Sequence, residues 1–350
     1  MQSVLAEKDS KSVRAETARA SALRDPAASR QAAFKAWRTM RERKRVRSAK
    51  GTVSLVEFAG ESLVLPPGVA SGTYKINAPL IKPSKLTYVE KGGVGKELSD
   101  GWVINYSIGC IMGCKFCYVD SIHKKFSFTR VGNIVYNDWG NYFAVPENID
   151  QAIEQTKWAR WQGKEVMMSS THDPYLPQLS KWARKILEHA LPEGVKFCIQ
   201  TRSPLVERDF GIISRYRNQV RLQVSIATYD SSLSRLVETR VVPPRRRMET
   251  LRKAKEAGLR TGVIIAPVFP AVTIRSDVRA DLEAIISDLE EIQPDHIYGE
   301  SVHIRGINLA YVENALGEKV NVEGFDWRAE KLFHDVLRDH HLKGRWWVEH

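Results

Sequence analysis

Three of the chain's four cysteines fall within eight residues, Cys110-Ile-Met-Gly-Cys114-Lys-Phe-Cys117, and Tyr118 follows directly. Thiolates at C-x3-C-x2-C spacing can wrap one corner of a [4Fe–4S] cluster from a single loop. Four cysteines would saturate the four irons. Three leave one iron open, much as a catalytic zinc site keeps an unfilled position. An open iron can chelate the amino and carboxylate groups of S-adenosylmethionine and pass an electron to its sulfonium. Homolysis then gives a 5′-deoxyadenosyl radical, chemistry that no side chain performs. Gly109 and Gly113 suit a loop that must fold tightly. The competing assignment is a zinc knuckle whose fourth ligand is a His or Cys198. Zinc sites usually join one C-x2-C to a second pair, and the sequence holds none. Cys198 lies mid-strand in Lys196-Phe-Cys-Ile199, where a buried inert thiol is the usual outcome.

Such a loop needs strands to hold it. From about residue 101, apolar or β-branched strands (102–106, 165–169, 195–200, 220–226, 260–266, 296–298) alternate with helical stretches (179–191, 210–216, 245–257, 278–292). With one more helix in 118–160, about six βα units predict an α/β fold with a parallel sheet. Six units are too few for a closed eight-stranded barrel. A partial barrel or a doubly wound sheet is expected, with the chemistry at the C-terminal strand ends. Residues 1–50 read as a basic helical arm with Phe34, Trp37 and Met40 three apart in a narrow apolar stripe. Residues 51–100 read as a small β-rich extension with runs at 53–58 and 62–65. The α/β domain covers 101–310, and 311–350 form a C-terminal extension with a helix at 327–338 and an aromatic end, Arg345-Trp-Trp347.

The segment Asn105-Tyr-Ser-Ile-Gly-Cys-Ile-Met-Gly-Cys-Lys-Phe-Cys-Tyr118 resembles the cluster loop of the spore photoproduct lyase-like branch of the radical S-adenosylmethionine superfamily, with Phe116 as the hallmark aromatic. Thr171-His-Asp-Pro-Tyr175 is similar to that branch's T-x-D-P-Y segment, and Thr201-Arg-Ser-Pro-Leu205 to its T-K-S segment. Val224-Ser-Ile226, Glu238-Thr-Arg240 and Arg247 resemble its S-I…E-x-R…R pattern, and Ile264-Ile-Ala-Pro-Val-Phe-Pro270 its fifth-strand proline segment. The resemblance covers roughly residues 100 to 310. It implies a partial (β/α)6 barrel with Cys110, Cys114 and Cys117 holding the cluster at the mouth. It also implies S-adenosylmethionine contacts at Phe116, Ser170, Thr171, Asp173, Arg202, Ser203, Ser225, Ala266 and Pro267, and an external electron donor such as flavodoxin or ferredoxin. Arg202 stands where the branch usually has lysine. Helix N-capping after a strand is the alternative role for the Ser and Thr positions. Ser170 matches the position of the lyase's hydrogen-donating cysteine, and its O–H bond is too strong for that task. Of the two tyrosines that flank the lyase's third cysteine, only Tyr118 remains. Repair of thymine spore photoproduct is therefore not expected. Tyr118 and Cys198 are the catalytic candidates, Cys198 as hydrogen donor only if it faces the barrel interior.

The formal charge is +12, and it is unevenly placed. Residues 30–50 carry nine Lys or Arg and one acid, Glu42, so eight of the twelve net charges sit in the arm. That points to a polyanion, DNA or RNA, as a partner of the arm; the alternative, compatible with it, is a solvated helix packed on the body through Phe34 and Trp37. The start, MQSVLAEKDSK, has charges where a signal peptide needs an apolar run. The most apolar stretch, 263–274, is broken by Pro267 and Pro270, so no membrane span and a cytoplasmic location are expected. Lys91-Gly-Gly-Val-Gly-Lys96 imitates a phosphate loop, but Glu97 stands where Ser or Thr must meet magnesium. His172 is a candidate proton-transfer group. Glu300, His303 and Arg305, after the sixth strand, are candidate substrate contacts. Arg245 and Arg246, beside Arg247 at a helix start, are surface residues or phosphate contacts. Together these features describe a radical enzyme that abstracts hydrogen from a substrate, nucleic acid first. The alternatives are a peptide, protein or small-molecule target, or a non-catalytic zinc-containing nucleic-acid-binding module.

Overall fold

The computed structural model describes residues 54–58, 61–84 and 98–347. The basic arm and the Lys91–Lys96 segment lie outside the described residues. The strands are β1 (Ser54–Phe58), β2 (Glu61–Leu65), β3 (Ala70–Tyr74), β4 (Ile81–Pro83), β5 (Trp102–Ile104), β6 (Tyr142–Pro146), β7 (Glu165–Met168), β8 (Lys196–Thr201), β9 (Val220–Ile226), β10 (Arg260–Val268), β11 (His296–Ser301) and β12 (Arg345–Trp346). The main sheet has the order β12-β11-β10-β9-β8-β7-β5-β4. Its six central strands, β5 and β7 to β11, are parallel; β4 is antiparallel to β5, and β12 runs parallel to β11. These are the six expected βα strands, with an added strand at each edge.

The sheet curls. Val103 on β5 and Tyr298 on β11 share one apolar cluster with Met167, Ile264, Ala266 and Trp347. Five strand spacings of about 4.8 Å would hold those edges roughly 24 Å apart in a flat sheet. A partial barrel is the architecture that brings them together. Side chains alternate across each strand. Val224, Ile226, Val263 and Ile265 turn outward onto the helices Pro244–Glu256 and Val278–Ile292. Arg221, Gln223 and Ser225 therefore turn inward. The barrel floor is sealed by Arg221 paired with Glu165 at 3.1 Å and by Trp347 stacked on Tyr298 at 5.0 Å. On the outer face of the same strand, β11, Gly299 leaves room for Trp346, whose ring would lie 2.6 Å from a Cβ.

Strand β9 and the Val278–Ile292 helix match the periodicity to the residue. Strand β10 runs two residues further than expected, through a register shift between Ile265 and Val268. Pro267 lies in that shift and has no N–H to offer the ladder. Strands β3 and β6, the helices Ser231–Val237 and Asn308–Leu316, and β12 had no periodic signal long enough to read. Strand β3 pairs with β6 and β4 with β5, so residues 70–83 are woven into the domain that follows them.

Candidate active site

The loop after β5 is built around close backbone contacts. Gly109 has φ +90°, and a Cβ on it would stand 2.2 Å from the Tyr142 carbonyl oxygen of β6. Its N–H donates to His123 Nδ1 at 3.1 Å. Burial pushes the His123 ring down to about 4, so the nitrogen is unprotonated and free to accept. Gly113 packs against Gly140, where a Cβ on Gly140 would meet the Gly113 Cα at 2.7 Å. Arg240 donates to the carbonyls of Ile111 and Gly140, the Lys115 N–H donates to the Val237 carbonyl at 2.8 Å, and Asn308 Nδ2 donates to the Phe116 carbonyl at 2.9 Å. The loop is thus clamped from four directions. We expect Gly109→Ala to retain well under half of the wild-type iron after identical anaerobic reconstitution. Wild-type iron content would show that the loop tolerates the shift.

Cys110 and Cys114 are buried and Cys117 half-buried, all as free thiols. Burial pushes the Cys110 thiol up to about 11 and the Cys117 thiol up to about 12, and raises Cys114 further. A coordinating metal reverses this, since it holds its thiols deprotonated. Among the described residues, no three or more His, Cys, Asp or Glu side chains are set closely enough to hold one ion, these thiols included. A four-iron cluster asks for something different, one thiolate at each of separate corners. Three soft donors on one rigid loop at the strand C-terminal end fit that group.

Arg202, at the end of β8, ties the site together. Its backbone N–H donates to Asp173 Oδ2 at 2.6 Å, Nε to Glu238 at 3.1 Å and Nη2 to the Ala266 carbonyl at 2.9 Å. Its guanidinium lies 5.3 Å over the Phe116 ring. Burial works against its charge, but Cys114 and Glu238 outweigh that and raise its pKa. Glu238 also pairs with Arg247, with side chains 0% and 1% exposed, and accepts from Ser234. Burial alone would raise Glu238. Arg247 and Arg202 more than offset it and hold the carboxyl below the usual carboxylate range. A depressed carboxylate stabilises the fold above its unfolded value, near 4.5, and that stability fades as pH falls through the folded value. Glu238→Gln should therefore lower the urea midpoint at about pH 6, and the gap to wild type should narrow at about pH 3. An equal gap at both values would count against this pairing.

The remaining expected contacts fall around the same mouth, most of them already bonded within the chain. The Asp173 carboxylate accepts from Thr201 and from the Tyr175 and Arg202 N–H groups, so it joins the β7 and β8 loops. Burial raises it against the pull of those donors. Ser203 caps a short 3-10 turn by accepting from the Leu205 N–H at 3.3 Å, as the capping alternative anticipated. Ser225 is buried, and its carbonyl accepts from Arg247. Ser170 meets Asn105, as do Ser169 Oγ and the Ser170 N–H. Thr171 is half-buried with its N–H on Ser169. Ala266 and Pro267 are buried. Phe116 packs edge-on to Phe269 at 5.6 Å. Tyr118 donates to the Ser170 carbonyl at 2.8 Å.

His172 is buried against Tyr106, and burial pushes its ring down to about 3, so it is neutral at physiological pH. Cys198 is fully buried. It faces inward, in register with Met167 and Arg221, and its thiol meets Gln223 at 3.5 Å. Gln200, one rung nearer the mouth, bonds the same Gln223 oxygen. His303 and Glu300 lie 3.5 Å apart. Arg246 pairs with Glu207, and Arg245 stacks over Tyr229 at 4.7 Å beside Asp288. Asn105, Asp120 and Tyr311 were missed by sequence reasoning. Asp120 accepts from Lys124, Tyr142 and Tyr311 directly behind the cysteine loop.

A family model described as the radical SAM superfamily matches residues 104–285, more than half of the chain. The chain belongs to the radical SAM superfamily. As a radical SAM enzyme it uses a [4Fe–4S] cluster and S-adenosylmethionine, and the non-catalytic zinc module is set aside. It is 57% identical to the uncharacterized protein ORF301 of Acidianus two-tailed virus over 282 residues, which cover 80% of this chain and 94% of that one. It is 28% identical to the uncharacterized protein MJ0683 of Methanocaldococcus jannaschii over 48% of this chain and 61% of the other. Among solved structures it is similar to a spore photoproduct lyase complexed with dinucleoside spore photoproduct. The TM-score is 0.57 at 13% identity, over 90% of this chain and 93% of that one. A variant of that lyase with bound AdoMet and the same dinucleoside aligns with a TM-score of 0.58. At such identity the likeness shows the fold. Among the described residues, no helix is long and apolar enough to cross a membrane.

Proposed function

We propose that Cys110, Cys114 and Cys117 hold the cluster of this radical SAM enzyme and that its substrate is a nucleic acid, recruited by the basic arm at residues 30–50. The observation that carries the substrate reading is the segregation of eight of twelve net charges into that arm, in contrast to an active site whose buried charges Arg202, Glu238 and Arg247 are mutually paired. The dinucleoside bound by spore photoproduct lyases of the same fold supports it. Bound together, cluster and S-adenosylmethionine supply one-electron cleavage of the sulfonium and hydrogen abstraction. A flavodoxin- or ferredoxin-like donor would provide the electron. The chain's residues do the rest. Arg202 places a cation beside the thiols, and the mouth formed by Ser170, Thr171, Ser203, Ser225, Ala266 and Pro267 receives the cofactor.

Tyr118 and Cys198 remain the two candidates for hydrogen transfer. Tyr118 stands at the mouth. Cys198 lies below Gln200 and would need that side chain to move. A duplex target would have its base extruded, because a barrel mouth cannot reach into a stack.

The test gives reduced full-length enzyme S-adenosylmethionine together with DNA, RNA or a peptide mixture. Stimulated 5′-deoxyadenosine formation and a mass change confined to nucleic acid support the reading. A mass change confined to peptide or a small molecule refutes it. Binding to nucleic acid should weaken steeply with salt and fall when residues 1–50 are deleted, because phosphate contacts release counterions.

A further inference from the structure

The helix Val119–Phe126 follows directly on the cysteine loop, with Val119, Asp120 and His123 buried. At its far end, three aromatic rings face solvent within eleven residues: Phe126 is 65% exposed, and Phe128 and Tyr136 are 45% exposed each. Exposed rings normally mark a binding surface, because burying them against the fold would be favourable. Phe128 and Tyr136 sit side by side, with centroids 5.7 Å apart and planes at 42°. The Lys125 ammonium lies 5.1 Å over Phe126, and the Arg130 guanidinium lies 4.3 Å over Tyr74. Residues 121–137 contain three Lys or Arg and no Asp or Glu. Lys124 is occupied by Asp120, whereas Lys125 and Arg130 are exposed.

We propose that Phe126, Phe128 and Tyr136, flanked by Lys125 and Arg130, form a stacking platform for a single-stranded polynucleotide. Every base has a π-face that an exposed ring can take without reading sequence, and every phosphate suits a neighbouring cation. Charge complementarity selects this occupant. The segment between Asp120 and Asp138 carries three cations and no acid beside its open rings, which suits a polyanion whose bases can stack. At 1.5 Å per residue, Phe126 lies about 10 Å along the helix from Val119 at the mouth. That is roughly three stacked nucleotides. A strand stacked on the platform can therefore place a nearby nucleotide at the mouth. The inference rests on the nucleic-acid reading above and adds where the strand lies, which the arm does not specify.

The test measures fluorescence anisotropy of full-length protein with a fluorescein-labelled oligothymidylate, and separately an oligouridylate, of about twelve nucleotides. The probe is binding, so it does not depend on cluster loading. We expect the Phe126→Ala/Phe128→Ala/Tyr136→Ala variant to bind tenfold or more weakly, with an unchanged salt slope. Phe126→Trp should keep wild-type affinity. Lys125→Gln/Arg130→Gln should flatten the salt slope by roughly 1.4, about 0.7 for each phosphate that is no longer neutralised. Because these side chains are exposed, circular dichroism should match wild type in all of them. Wild-type affinity in the triple alanine variant would overturn the platform while leaving the nucleic-acid reading intact, and slowed reduction by a flavodoxin in that variant would assign the patch to a redox partner. Failure of wild-type protein to bind either oligonucleotide would overturn both.

Discussion

Cys114→Ala should leave the enzyme without stable iron and without detectable 5′-deoxyadenosine formation. Cys114 is the middle of three thiols on one clamped loop, with Cys110 four residues before it and Cys117 three after it. A cluster held by three protein ligands that loses one keeps two, and an iron that should be ligated by the protein is left to solvent. Cys110→Ala and Cys117→Ala should behave in the same way. Cys198→Ala is the control: its thiol is fully buried beneath Gln200 and Gln223, so iron content should not change. Iron and sulfide analysis of the four variants and wild type, reconstituted side by side without oxygen, checks this. Equal iron in Cys114→Ala and wild type would remove the loop from the site.

The second large effect is expected at Arg202. Removing its side chain deletes a cation beside Cys114 and the link from β8 to the Ala266 carbonyl on β10. Glu238 would still keep Arg247 as a partner, so the protein should fold. Losing a nearby positive charge disfavours the more negative, reduced cluster. The midpoint potential of Arg202→Ala should fall by roughly 60 mV, about tenfold in the one-electron equilibrium. Cofactor cleavage with dithionite should fall by about a hundredfold, since both electron supply and mouth geometry suffer. Arg202→Lys restores the charge, as in the related branch, but cannot reach Glu238 and Ala266 together. It should recover the potential and only part of the rate. Spectroelectrochemistry and 5′-deoxyadenosine assays separate the two contributions. An unchanged potential in Arg202→Ala would show that the guanidinium acts on geometry alone.

Much of this arrangement is legible in the residues themselves. The six parallel strands show in the sequence as short apolar or β-branched stretches, such as Val220–Ile226 and Arg260–Val268, most of them followed by a helical stretch such as Val278–Ile292. The cysteine loop shows because spacing alone restricts its chemistry. Glu238 and Arg247 entered only through resemblance: each is an ordinary surface type, and nothing in the sequence shows that both are buried against each other. Asn105 was missed although it holds three groups of the β7 loop, because a polar residue after a strand has no periodicity to betray it. The same holds for Asp120, whose partners Tyr142 and Tyr311 are 22 and 191 residues away. Strand β6 was hidden because Tyr142–Pro146 is wholly buried, so it lacks the alternation that marks a half-exposed strand. For Ser203, Thr171 and Asp173 the sequence could not say that protein donors and acceptors already occupy them.

The central claim is a cluster on Cys110, Cys114 and Cys117 with one iron open to S-adenosylmethionine. Electron paramagnetic resonance of the dithionite-reduced enzyme, before and after adding S-adenosylmethionine, tests it most directly. Protein holding about four irons per chain should show a reduced-cluster signal whose g values move when the cofactor is added. A signal that does not move, or a colourless protein holding zinc, would contradict it.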